Sequence, residues 1–344
     1  MKLAIFTLII ALCTTLSHAQ SDLKRFPFID DNSKHYNAEI VSFTPGEIFV
    51  VWSKYSGTGS VKFFMNKSSD NGSTWTSLGM VLDTSDVSLS EDLYEGATLI
   101  KGYNERLLLF IKLGNLRATI WKYSDDGGVT WTANQRLRIS NRLPTFDNYR
   151  ITGAIHQGGG NILVFSSNSL NVSNYLRSTD NGVTWSTYSS IGGNALLNPS
   201  LLMNGTSGYF MAGQQPNTEQ GKQIWFMRND PVAGWRDTAL VFSHNSDILV
   251  NPRIYRQIDN SLTIYFTRKQ KAFNKYNIAS TWYCRSTDEG ASWSEPVRLT
   301  RYAGDEGNLN LNGQSVKPYF TVSGDRRADF GSKIIHWGNA AELA

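Results

Sequence analysis

Arginine, tyrosine and carboxylate side chains are the groups in this chain whose types could do chemistry together. Arg150, Arg253 and Arg268 carry guanidinium forks that can hold a carboxylate through two parallel hydrogen bonds. Tyr319 is a phenol with an ordinary pKa of about 10, so it reacts as a nucleophile only beside a base. Glu39, Asp92 and Glu95 are carboxylates suited to acid–base work. His35 reads equally as a general base or a solvated loop histidine, and Trp52 and Trp337 offer flat faces for a sugar ring or for packing. No His, Asp and Glu spacing suggests a zinc site and no glycine-rich phosphate loop follows a strand, so no metal or other cofactor is expected. These side chains are scattered from position 35 to position 337, so only a fold that gathers distant segments can make one site of them.

A repeat reveals the elements that would do so. The pattern Ser-x-Asp-x-Gly-x-x-Trp runs over residues 68–75, 124–131, 178–185 and 286–293, and a decayed copy at 228–235 keeps Asp230 and Trp235 at their spacing. The aspartates Asp70, Asp126, Asp180, Asp230 and Asp288 are 56, 54, 50 and 58 residues apart. Each box reads as a hairpin turn. The Asp accepts bonds from backbone N–H groups just ahead of it, the Gly takes a positive φ, and the Trp turns back into the next strand. The acidic residues lack the twelve-residue ligand series of a calcium loop, so their role is structural.

Short apolar strands precede each box in pairs: Ala38–Phe43 with Ile48–Trp52, Gly96–Ile100 with Leu107–Ile111, and Ile151–Ile155 with Ile162–Phe165. The series continues with Leu197–Met203 and Tyr209–Met211, Pro252–Tyr255 and Leu262–Phe266, and Val316–Val322 with Lys333–Trp337. A third strand enters each box and a fourth leaves it, with no sustained helical periodicity anywhere. Six units of four strands, about 54 residues each, predict an all-β six-bladed propeller of four-stranded antiparallel blades. Only 51 residues follow Trp293, so Leu23–Ile29 is expected to close the ring by lending the last blade a strand. In such a ring the boxes occupy one face. The other face collects His35, Tyr36, Glu39, Trp52 and Lys54 from the first unit and Asp92, Tyr94, Glu95 and Lys112 from the second. Later units add Tyr149 and Arg150, Asn198 and Gln214, Arg253 and Arg268, and finally Lys317, Tyr319 and Trp337.

Composition narrows the class. The 344 residues are 12% aromatic and 18% charged, which excludes a disordered chain and a helical array. A net charge of +4 leaves no nucleic-acid footprint. Lys2, the apolar run Leu3–Leu12 and Ser17-His18-Ala19 read as a signal peptide over 1–19, too short to span a membrane. A single domain over 20–344 is expected, exported and monomeric, with Cys284 as its one cysteine, buried rather than reactive. Asn66, Asn71, Asn171 and Asn204 head glycosylation sequons.

From about His35 to Trp337 the chain resembles the sialidase superfamily of Asp-box (BNR-repeat) propellers, most nearly its BNR-repeat-like group. The boxes carry the resemblance, with His35-Tyr36-Asn37-Ala38-Glu39-Ile40-Val41 and Leu107–Gly114 resembling that group's first two blades. It implies a glycan as the partner and three arginines on a substrate carboxylate, for which Arg253, Arg268 and Arg150 stand. It also implies a tyrosine nucleophile, Tyr319, with carboxylates from Glu39, Asp92 and Glu95. Two positions depart from the superfamily: His35-Tyr36-Asn37-Ala38 stands where Arg-Ile-Pro opens the first blade, and Asn198-Pro199-Ser200 where a Glu is expected. A glycoside hydrolase, a non-catalytic carbohydrate-binding propeller and a polysaccharide lyase therefore all remain open.

Overall fold

The computed structural model describes residues 24–28, 35–55, 61–84, 94–113, 118–137, 150–167, 173–186, 189–190, 196–205, 208–214, 221–230, 234–272, 276–299, 319–324 and 334–339. Asp92 and the expected signal peptide lie outside them.

Five antiparallel sheets of four strands follow one another along the chain, each pairing its strands in sequence order. Blade one is His35–Val41, Ile48–Tyr55, Val61–Ser68 and Thr76–Asp83. Blade two is Tyr94–Lys101, Leu107–Leu113, Ala118–Ser124 and Gln135–Arg136. Blade three is Arg150–Gly158, Asn161–Ser167, Ser173–Ser178 and Ser189–Ser190. Blade four is Leu197–Asn204, Gly208–Gln214, Gln223–Asp230 and Gly234–Ser243. Blade five is Ile248–Arg256, Leu262–Ala272, Tyr276–Ser286 and Val297–Arg298. The expectation of six four-stranded blades is thus corrected to five. The remaining described sheet has three strands, Tyr319–Gly324, Ile334–Asn339 and Lys24–Arg25 in spatial order, with Lys24 opposite Trp337. Its physical cause is the missing box. A box hairpin joins the third and fourth strands of a blade, and no box follows Trp293.

The boxes have the internal scaffold that their residue types call for. Ser68 Oγ donates to Asp70 Oδ1 at 2.8 Å and accepts from the Gly72 amide at 2.8 Å. Asp70 Oδ1 accepts from the Thr74 amide at 2.8 Å, and Asp70 Oδ2 from the Thr74 hydroxyl at 2.6 Å. The same bonds recur around Asp126, Asp180 and Asp288. Two successive residues, Asn71 and Gly72 at φ of 57° and 82°, take the left-handed conformation, which explains the glycine. At the decayed copy Asn229 pairs with Trp235 and Asp230 with Gly234, the first residue of the ten-residue strand Gly234–Ser243.

Packing is between blades. Val41, Phe49, Phe63, Leu99 and Leu109 fill the seam between blades one and two, and Leu108, Phe110, Trp121, Ile151 and Val164 the next. Phe210, Phe226, Leu249, Ile254, Ile264, Phe266 and Cys284 fill that between blades four and five. Each fully buried Phe or Leu there contributes about 2 kcal/mol. Burial pushes the Cys284 thiol up to about 12, so it is a core residue. Phe26 and Phe28 pack against Trp75, with ring centroids 5.5 and 5.3 Å away.

The boxes make acid stability testable. Hydrogen bonds from the box hydroxyl and amide hold Asp70, Asp126 and Asp288 at a pKa of about 2, below 3.8. A carboxylate lowered by folding stabilises fully above its unfolded pKa and loses that effect as pH falls through the folded one. Melting temperature measured against pH should therefore fall more steeply between about pH 4 and pH 2 in the native protein than in a D70N/D126N/D288N variant.

Candidate functional site

The first strands of the blades line the axis. His35–Val41 touches Tyr94–Lys101, followed in turn by Arg150–Gly158, Leu197–Asn204 and Ile248–Arg256, and Tyr319–Gly324 touches His35–Val41. Because the boxes join third to fourth strands, antiparallel alternation starts every first strand at the opposite end of the ring. That end holds the candidate residues.

The first strands of all five four-stranded blades carry a one-residue bulge near their start, and in three of them it falls on similar residues. Two residues face one across the pair at Asn37-Ala38, Asn198-Pro199 and Asn251-Pro252, and the ladder resumes at Glu39, Ser200 and Arg253. Asn198 and Asn251 take φ of 48° and 54°, which asparagine tolerates better than most residues. The bulge turns the residue after it toward the following blade. Glu39 Oε1 accepts from the Leu99 amide of blade two at 2.9 Å, and Ser200 Oγ from the Ile254 amide of blade five at 3.2 Å. Gln214 adds to the second seam, accepting from Asn198 Nδ2 at 2.9 Å and donating to the Leu249 carbonyl at 2.7 Å.

Arg253 occupies the third such position. It stands opposite Tyr265, so it leaves blade five on the face away from the Phe266 and Ile254 core shared with blade four. Its Nη1 donates to the Pro252 carbonyl at 2.9 Å. Burial pushes its pKa down while the charge of Glu39 pushes it up. The structure thus brings Glu39 and Arg253 within electrostatic reach.

Arg268 leaves on the opposite face. Its Nε donates to Asp247 Oδ2 at 2.5 Å, its Nη2 to His244 Nε2 at 2.8 Å, and its guanidinium lies 4.8 Å from the Trp282 ring centroid. Asp247 is buried, so this ion pair ties blade five to the link from blade four. Trp52 is buried as well: its Nε1 donates to Asn66 Oδ1 at 2.8 Å and its ring stacks on Phe64 at 4.8 Å. Asn66 is itself buried, with its Oδ1 taken by that bond. For His35, Glu95, Arg150, Tyr319 and Trp337 the structure describes the backbone. His35 pairs with Lys54, Arg150 with Ser167, Tyr319 opens its strand opposite Asn339, and Trp337 lies between Lys24 and Thr321. Glu95 lies in the bulge between Tyr94 and Gly96.

Sequence reasoning missed His244 and Asp247, which sit in a link with no motif. It also missed the likeness of Asn37-Ala38-Glu39, Asn198-Pro199-Ser200 and Asn251-Pro252-Arg253, which keep no fixed distance from their boxes and which the strand registers align. Among the described residues, no three His, Cys, Asp or Glu side chains cluster as metal ligands.

Residues 122–133 match the BNR/Asp-box repeat family. No curated protein matches the chain. A protein of unknown function from Dyadobacter fermentans superposes with a TM-score of 0.63 at 15% identity, covering 93% of this chain and 97% of its own. The sialidase of Trypanosoma rangeli gives 0.59 at 13% identity over 93% of this chain and 59% of its own. The GH93 α-L-arabinofuranosidase of Fusarium graminearum, solved with arabinobiose, gives 0.54 at 13% over 94% and 98%. The protein is an Asp-box β-propeller with the fold found in sialidases and other propellers that act on glycans.

Removing one partner from a buried ion pair costs about 3 kcal/mol. Urea unfolding of Asp247→Asn should show a loss of about that size, and adding Arg268→Met should restore part of it.

Proposed function

We propose that this protein is an exported, sialidase-like propeller that hydrolyses glycosidic bonds in a glycan bearing a carboxylate. The observation that carries the reading is Arg253. It is a partly buried guanidinium at the start of a first strand, and its one described hydrogen bond takes one of five N–H groups. A sugar carboxylate would use two of the others. In this reading Tyr319 is the nucleophile, and Asp92 and Glu95, with Glu39, are the carboxylates that activate it and protonate the leaving oxygen. Arg150 flanks the acidic group while Arg268, held by Asp247 on the opposite face of blade five, stays out of it, and His35 and Trp337 bound the sugar, with Trp52 supporting them from the core.

Residues 1–19 would be removed on export. Residues 20–344 would form one monomeric domain. The ion pair of Arg268 with Asp247 favours a second reading, binding of a glycan without cleavage, since it leaves fewer arginines for a clamp. In a lyase, His35 or Tyr319 would abstract a proton instead.

Incubation with sialosides and with uronate polysaccharides separates the three. Released reducing sugar indicates the hydrolase, new unsaturated-uronate absorbance the lyase, and binding with neither product the binding propeller. For the hydrolase, Tyr319→Phe should abolish release. Arg253→Met should lower kcat/KM about 100-fold, because two charge-assisted bonds contribute roughly 3 kcal/mol.

A further inference from the structure

Blade five reaches further than the other four-stranded blades at the end of the ring opposite the boxes. In each blade the second strand continues past the residue that faces the end of the first-strand bulge. It continues by four residues in blade one, from Val51 to Tyr55, and by one or two in blades two, three and four, ending at Leu113, Ser167 and Gln214. In blade five it continues by seven, from Tyr265 to Ala272, and Tyr276 opens the third strand opposite Ala272. At about 3.3 Å per residue, these paired strands project about 10 Å beyond those of any other four-stranded blade.

The projection is basic. Between Asp259 and Asp288 the sequence has five Lys and Arg residues and no Asp or Glu. Asp247 takes Arg268, and Asp259 takes Arg285 back at the box end. Three other strand lysines also have carboxylates: Lys62 with Asp83, Lys67 with Glu47 and Lys101 with Glu105. Among the described residues, no carboxylate pairs with Lys269. Residues alternate between faces along a strand, so Lys269 and Lys271 fall on the sheet face of Tyr265, the face that Arg253 shares. Lys269 lies about 13 Å along the strand from Tyr265, and Lys271 about 20 Å. Ile248, opposite Lys269 on that face, is exposed, so the row leads from Arg253 out to solvent.

We propose that this projecting hairpin is a docking edge for a linear acidic polysaccharide. The sugar held at Arg253 is then one unit of a longer chain, whose neighbouring acidic units lie along Lys269 and Lys271. This rests on reading Arg253 as the group that binds a sugar carboxylate, and it names the substrate as a polymer. A single row of cations on one sheet face matches one chain carrying acidic groups along its length. A net charge of +4 over the whole protein leaves no broad basic face for a nucleic acid or an anionic membrane plane.

Hexagalacturonate and a hyaluronan hexasaccharide are the probes, each titrated beside its single acidic sugar, galacturonate or glucuronate. The native protein should bind at least one hexamer about tenfold more tightly than its single sugar, or 1.4 kcal/mol. K269Q/K271Q should lose that advantage while its affinity for the single sugar stays within about twofold. K269R/K271R keeps the charges and should keep the native preference, whereas R253M should weaken hexamer and single sugar alike. Added salt should weaken hexamer binding more in the native protein than in K269Q/K271Q.

A native protein that prefers neither hexamer, or a preference that survives in K269Q/K271Q, would overturn the proposal. So would an equal loss for hexamer and single sugar in that variant, or equally tight lysine-dependent binding of single-stranded DNA or phosphatidylserine vesicles. Its failure is distinct from failure of the hydrolase reading. A lysine-dependent hexamer preference without sugar release sinks the hydrolase alone, and sugar release without that preference sinks this proposal alone.

Discussion

The sheets of this protein are apolar on both faces, and that constraint shapes everything else. Phe266 and Ile264 pack toward blade four, while Tyr265, on the other face of the same strand, is equally buried. Such a sheet cannot end at water. It needs a neighbour on each side, and successive sheets that each need two neighbours are served by a ring. The Asp box makes this arrangement local. It reverses the chain within eight residues using its own Ser, Asp and Thr, so each blade keeps its apolar faces for its neighbours.

A ring of sheets has an inner edge, and the chemistry follows from how that edge is satisfied. Every first strand of the four-stranded blades begins with a one-residue bulge, followed by Glu39, Ser200 and Arg253 in blades one, four and five and by glycine in blades two and three. Two of these side chains are acceptors that hold blades together. The third is a guanidinium, a partly buried cation at the end of the ring opposite the boxes.

The fold was legible because its information is local. Ser68, Asp70, Gly72 and Trp75 lie within one turn, and their types state their bonds. The last sheet was less legible, since no box marks it and its described third strand comes from Lys24–Arg25 at the other end of the chain. The site was legible only in part. Arg253 and Glu39 were picked out from their places in the units, but nothing near Glu39 in sequence shows that it reaches the Leu99 amide of blade two. Arg268 looked as available as Arg253 until Asp247 and His244, from a link without any motif, were seen to hold it. Trp52 looked like a sugar platform because nothing near it in sequence shows that Asn66 and Phe64 enclose it.

The central claim is that an anionic group of a glycan is bound by Arg253 at the end of the ring opposite the boxes. The most direct measurement is a crystal structure of the protein soaked with an acidic sugar. The account predicts the sugar carboxylate within hydrogen-bond distance of the Arg253 guanidinium, with Glu39 still held by the Leu99 amide. A sugar bound instead on the box face or along an outer strand, with Arg253 untouched, would contradict it.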